Sequence, residues 1–156
     1  MTGVQTCALP IYGGGQAAAV NLDFCTLHQP IGVPQLGNLA DKHYYRLRRL
    51  RLLNSSPVAL EEIFFDTRHN DKLLVNDLGE ALYFFYQNQL HFWIANAVDR
   101  LSISSVPAWS PNLFGLAVDA PCGYIERESW SGAAVREEFS RTWFDPSLCQ
   151  YVSRIK

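Results

Sequence analysis

Apolar and polar residues alternate with a period of two over much of this chain, most clearly between His43 and Phe65. His43 to Leu53 and Val58 to Phe65 are apolar runs separated by Asn54-Ser55-Ser56-Pro57, a pattern that predicts a β-hairpin. The first run carries Arg46, Arg48, Arg49 and Arg51, and the second carries the paired Glu61 and Glu62. Strand geometry puts Arg49 and Arg51 on the face of Leu47 and Leu53, at or under the edge of a core. There a carboxylate or an anionic ligand must meet them. Two other arrangements satisfy the same pattern. The arginines can pair with Glu61 or Glu62 across the hairpin, or residues 43–53 can form an amphipathic helix with a solvated basic face.

The rest of the chain adds strands more than helices. Ala17 to His28 alternates weakly and reads as a strand, followed by a Gly/Pro-punctuated segment from Gln29 to Ala40. Asp77 stands three residues before Glu80, and Ala81, Leu82, Phe85, Tyr86 and Gln89 follow at helical spacing. A helix over about 78–89 is expected, its first-turn N–H groups open to an anion. Phe92 to Val106 reads as a long strand and Ser110 to Leu116 as one short helix. Cys122 to Trp130, Val135 to Phe144 and Cys149 to Ile155 are further strands, joined by turns at Ser131-Gly132 and Asp145-Pro146. Within Val135 to Phe144 the even positions, Glu138, Ser140, Thr142 and Phe144, form a polar row ending in an aromatic. Strands without regular helical alternation predict an α+β domain, a mainly antiparallel sheet with flanking helices.

Composition narrows the classes. With 48% apolar, 13% aromatic and 18% charged residues, the chain has enough apolar material for one compact domain. Its formal net charge is −2, and its basic residues are dispersed apart from the cluster at 46–51, which leaves no broad face for nucleic acid. The apolar run at 90–95, interrupted by His91, falls far short of a membrane span. Met1 to Ile11 resembles the translation of a sequencing adapter, so residues 1–11 are set apart from a domain over 12–156. On that expectation the true N-terminus lies upstream, and the alternative is an ordinary disordered tail. Setting Cys7 aside leaves Cys25, Cys122 and Cys149, an odd number with no C-x-x-C pair, as expected of a reducing, cytoplasmic compartment. The four histidines lack metal-ligand spacing. There is no G-x-S-x-G, phosphate-binding glycine loop or H-E-x-x-H, so no catalytic residue, metal or cofactor is assigned.

Arg49-Leu50-Arg51, followed ten residues later by Glu61 within Pro57-Val58-Ala59-Leu60-Glu61, is similar to the R-L-R…P-V-A-L-E signature of the UTRA domain. That is the effector-binding domain of GntR/HutC-type bacterial transcription regulators. Ala81-Leu82-Tyr83 resembles the family's S-L-Y helix start. Leu36-Gly37, Arg127 and Glu138-Phe139-Ser140 fall where it has L-G, a late-strand arginine and E-x-S. The resemblance runs over residues 17–156 and implies a chorismate lyase-like fold that binds a small anionic effector, a phosphosugar or another small acid. It also implies a homodimer and DNA contact only through a winged-helix domain that this chain lacks. Carried over by position, Arg49 and Arg51 hold the anionic group, Glu61 and Glu138 the hydroxyl or amino groups, and Tyr83 the ligand's flank.

Three departures shift the expected ligand. Ala81 replaces the serine at the helix start, Ala18 stands where a Ser/Thr helps bind phosphate, and Phe144 stands where tyrosine is frequent. Each loses a hydroxyl, and a hydrogen bond to a charged group is worth roughly 1.5–3 kcal/mol. A carboxylate therefore suits the site better than a phosphosugar. The rival class is a chorismate lyase-like enzyme, because that fold also sets arginine and glutamate around a small aromatic acid.

Overall fold

The computed structural model describes residues 11–12, 16–38 and 42–155. The N-terminal eleven residues, apart from Ile11, lie outside that range. Six strands form one antiparallel sheet: β2 (Ala17–His28), β3 (His43–Leu53), β4 (Ser56–Asp66), β5 (Ile94–Ser105), β6 (Pro121–Ser131) and β7 (Arg136–Phe144). Their order across the sheet is β2-β3-β4-β7-β6-β5. Two short strands, β1 (Ile11–Tyr12) and β8 (Gln150–Tyr151), pair separately. The expected α+β class with a mainly antiparallel sheet holds, and β3 excludes the helical alternative for residues 43–53.

The β3–β4 hairpin turns on Asn54 and Ser55, both at positive φ (48° and 67°), the geometry of a type I′ turn that matches strand twist. Asn54 Oδ1 accepts the Gln16 N–H, which ties β2 to the turn. From this turn the register follows. Arg49 stands opposite Glu61, Glu61 opposite Thr142, and Thr142 opposite Ile125. The next rows on the same face are Leu47, Ile63, Ser140, Arg127 and Asp99, then Tyr45, Phe65, Glu138 and Ser129. The polar even positions of β7 thus lie on the face of the hairpin's Arg49 and Arg51.

Both faces of the sheet are covered. On the face just described, Tyr45, Leu47, Ile63 and Phe65 pack under Leu82, Phe85, Tyr86 and Leu90. The opposite face carries Leu50, Leu60 and Trp143 under Val106 and Phe114. It also carries charges that alternate across all six strands: Asp23, Arg48, Glu62, Arg141, Glu126 and Arg100 are cross-strand partners in turn. Glu62 accepts from Arg48 at 2.9 Å and Arg141 at 3.1 Å. Strand β4, central in the sheet, is buried on both sides almost throughout, as the near-continuous apolar run Val58 to Phe65 requires.

Three elements differ from expectation. The helix begins at Leu82, four residues late, as α1 (Leu82–Phe85), and continues as a π-helical turn over Tyr86–Leu90. Asp77 does not cap it, because its carboxylate accepts the Leu74 N–H and closes a separate 3-10 turn, Val75–Asp77. Ala81 takes the cap position without a side-chain hydrogen bond. Residues 110–116 form no helix; Pro107 and Pro111 each open a β-turn, closed by the N–H groups of Ser110 and Phe114. After Cys149 only Gln150 and Tyr151 are extended strand.

Gly123 on β6 is required by its neighbour, since a Cβ there would fall within the ring of Phe144. Gly123→Ala is expected to lower stability by about 1–3 kcal/mol in urea denaturation, the usual cost of overpacking. Adding Phe144→Leu should recover part of that loss. A Gly123→Ala variant as stable as wild type would disprove the close packing.

Candidate functional site

Where α1 crosses the sheet, Arg49, Glu61, Ile63, Leu82, Tyr83, Arg127, Glu138 and Ser140 line a cavity of about 20 Å³, room for about one water. The arginines and glutamates come from neighbouring strands on one face, and the apolar lid comes from the helix. This placement follows from period two on the sheet and from Leu82, Phe85 and Tyr86 sitting on one side of a helical turn.

Glu61 is the hub. One of its oxygens accepts from Arg49 Nε at 3.2 Å and from Arg49 Nη2 at 2.8 Å, while the other accepts from Arg51 Nη1. Arg49 is held a second time, by Nη1 donating to the Glu80 carbonyl at 2.9 Å. Arg49 and Glu61 are each 2% exposed, so the ions meet in a low-dielectric interior where an unpaired charge is costly. Burial opposes the charge on Glu61, but Arg51 and Arg49 outweigh it and hold its carboxyl at about 2. Cross-hairpin pairing, one of the alternatives open from sequence, is thus what the structure shows, and Arg48 pairs with Glu62 in the same way on the opposite face.

Glu138 is the contrasting acid. It is buried, and its Oε2 accepts from the Tyr86 hydroxyl. Among the described residues it has no ion-pair partner, because the nearby Arg127 is taken by Asp99, with bonds of 2.6 and 2.8 Å. Burial therefore dominates, and its carboxyl is pushed up to about 7. Tyr83 exchanges a hydrogen bond with Ser129 at 2.9 Å; burial, then the neighbouring Glu138, raises its hydroxyl above the ordinary range.

The sequence-expected residues divide in two. Arg49, Glu61, Tyr83 and Glu138 line the cavity together, along with Arg127 and Ser140. Arg51 is not among its lining residues and donates to Glu61, which is. Ala81 and Phe144 do not line it; Ala81 precedes the helix, and Phe144 lies over Gly123 one row further along the sheet. Ala18 is opposite Leu52, whereas Ala19 faces Arg51. The position beside the arginine is one residue later than expected and also lacks a hydroxyl. Asp99, Tyr86 and Ser129 were not singled out, because their roles depend on partners 28 to 52 residues away.

The two acids pull stability in opposite directions with pH. Glu61, with a depressed folded value, contributes stability above its unfolded value of about 4.5 and loses it as pH falls toward 2. Glu138, with a raised folded value, favours the native state at low pH and loses that contribution as pH rises from about 4.5 through 7. The melting temperature of the ligand-free chain should therefore decline between about pH 5 and 7, and Glu138→Gln should flatten that slope. An unchanged slope in Glu138→Gln would show that another group carries it.

The chain is similar to known proteins in sequence and in fold. The chain matches the UTRA domain family over residues 21–149. It is 36% identical over 146 residues to the HTH-type transcriptional regulator SmoD of Agrobacterium fabrum, a match that takes in 94% of this chain and 62% of that protein. In fold it is similar to the ligand-binding domain of a GntR-family transcriptional regulator from Bordetella bronchiseptica, with a TM-score of 0.83 at 16% identity, covering 95% of this chain and 97% of that one. The effector domain of PhnF from Mycobacterium smegmatis aligns with a TM-score of 0.74 at 16% identity, over 90% and 88% of the two chains. Those structural likenesses bear out the α+β, chorismate lyase-like fold. With the family match spanning residues 21–149, most of the chain, the protein belongs to the UTRA domain family.

Proposed function

We propose that this domain is the ligand-sensing and dimerising part of a GntR/HutC-type cytoplasmic transcription regulator. It binds a small anionic effector, and the bound state controls DNA binding by an N-terminal winged-helix domain outside this chain. The observation that carries the reading is the pair Arg49 and Arg51, buried on the helix-covered face beside a cavity, in a chain that aligns with much of an HTH-type regulator. Buried guanidinium groups recognise carboxylate or phosphate in fixed geometry. Glu138, with no cationic partner among the described residues, is the acceptor for a hydroxyl or amino group of the same ligand, and Tyr83 flanks it. The domain acts by binding, without a cofactor or catalysis; incubation with chorismate should yield no product, and product formation would favour the lyase.

A carboxylate is the favoured anion. Ala81 and Ala19 supply no hydroxyl, and Phe144 supplies none further along, so a three-oxygen phosphate finds fewer donors than a carboxylate gripped by one guanidinium. Small organic acids should raise the melting temperature more than glucosamine 6-phosphate at equal concentration, since stabilisation follows the logarithm of occupancy. A phosphosugar that outperforms every carboxylate would overturn this preference. Arg51→Ala should weaken binding of the best acid by about 2–5 kcal/mol in a folded protein, and wild-type binding by that variant would remove Arg51 from the site.

Self-association is expected because two-fold operators are read by two-fold proteins. Sedimentation at micromolar concentration should show a dimer. A clean monomer would mean that this domain alone does not supply the interface.

A further inference from the structure

The cavity beside Arg49 has room for about one water, so an organic effector that reaches the arginines must displace a group already there. The group in the way is the Glu61 carboxylate, which bridges both arginines. A carboxylate on an internal side chain is the chemical equivalent of the anion the arginines are proposed to bind. Arg49 has a second anchor, because the Glu80 carbonyl accepts from its other terminal nitrogen at 2.9 Å. The arginine would therefore stay aimed after Glu61 left.

A hydroxyl donor for the Glu61 carboxylate lies beside it. Thr142 is its direct cross-strand partner on β7, a separation that brings Cβ atoms within about 4.5–5.5 Å. Thr142 is fully buried, and its Oγ1 has no hydrogen-bond partner among the described residues. A buried hydroxyl left without a partner costs stability, which makes it a vacant docking point for a neighbouring carboxylate.

We propose that Glu61 is a built-in competitor for the effector: its carboxylate occupies the anion position between Arg49 and Arg51 in the ligand-free domain, and effector binding moves it onto the Thr142 hydroxyl. This rests on the assignment of Arg49 and Arg51 as the anion end of the site. At the arginines one carboxylate replaces another, and the displaced carboxylate gains a hydroxyl donor in place of its guanidinium partners. The exchange also makes apparent affinity for the effector weaker than the bare arginine pair would give, by the free energy of the internal contact.

The test is chemical rescue in the full chain. In Glu61→Ala the arginines lose their internal anion, so the variant should be less stable than wild type. Acetate, but not chloride at matched ionic strength, should then raise its melting temperature saturably, with an affinity about tenfold tighter than wild type shows, equivalent to about 1.4 kcal/mol. If Glu61→Ala is unfolded in chloride, recovery of its circular dichroism in acetate reads the same effect. Acetate acting no better than chloride on the variant overturns the proposal. If wild type binds acetate as tightly as the variant, the arginine site stands and the competition does not. Thr142→Val reads the second half: its ligand-free stability should equal or exceed wild type, while the shift produced by inorganic phosphate or acetate should fall several-fold. An undiminished shift removes Thr142 as the second position.

Discussion

A single carboxylate shared by two buried guanidinium groups is the constraint around which this domain is arranged. Charges on a strand covered on both faces are tolerated only when each meets its opposite, and breaking one such buried pair typically costs about 3–5 kcal/mol. Glu61 meets Arg49 and Arg51 beneath the helix, and Glu62 meets Arg48 and Arg141 on the other side. Because the side-chain period is two, a one-residue slip of β3 against β4 would turn both sets to the wrong faces at once. The ion pairs thus reinforce the register that the two-residue turn at Asn54-Ser55 sets locally.

The same register makes the site. Strand β7 sits beside β4 although 70 residues separate Arg136 from Asp66, and it brings Glu138, Ser140 and Thr142 onto the arginine face. The two acids of the site then differ by environment alone: Glu61 is ionised between arginines, and Glu138, with a tyrosine for a partner, sits near neutrality. Tyr86 belongs to the π-helical turn that follows α1. Its bond to Glu138 links the floor of the site to its cover, and its ring stacks on Phe92, which in turn stacks on His69.

Much of this was legible in the residues. Period two located the six long strands, the parity of Arg49 and Arg51, and the polar row 138, 140, 142 and 144. The hairpin partners Glu61 and Glu62 followed from the turn. What was hidden depends on tertiary contacts or local irregularity. Asp77 looked like a helix cap but is engaged by the Leu74 N–H, which only the folded backbone reveals. A β-bulge between Asn21 and Asp23 shifts the pairing of β2 by one residue, so no simple alternation places Ala18 or Ala19 against β3. Asp99 became a site residue only because β5 pairs with β6 and sets it opposite Arg127.

The central claim is that the helix-covered face at Arg49 and Arg51, rather than the equally charged opposite face, receives an anion. Nuclear magnetic resonance of the arginine Nε–H groups during titration with a small organic acid distinguishes the two faces residue by residue. The account predicts saturable shifts at Arg49 and Arg51 with little change at Arg48 and Arg141. Saturable shifts confined to Arg48 and Arg141, or none at any of the four while the acid stabilises the protein, would contradict it.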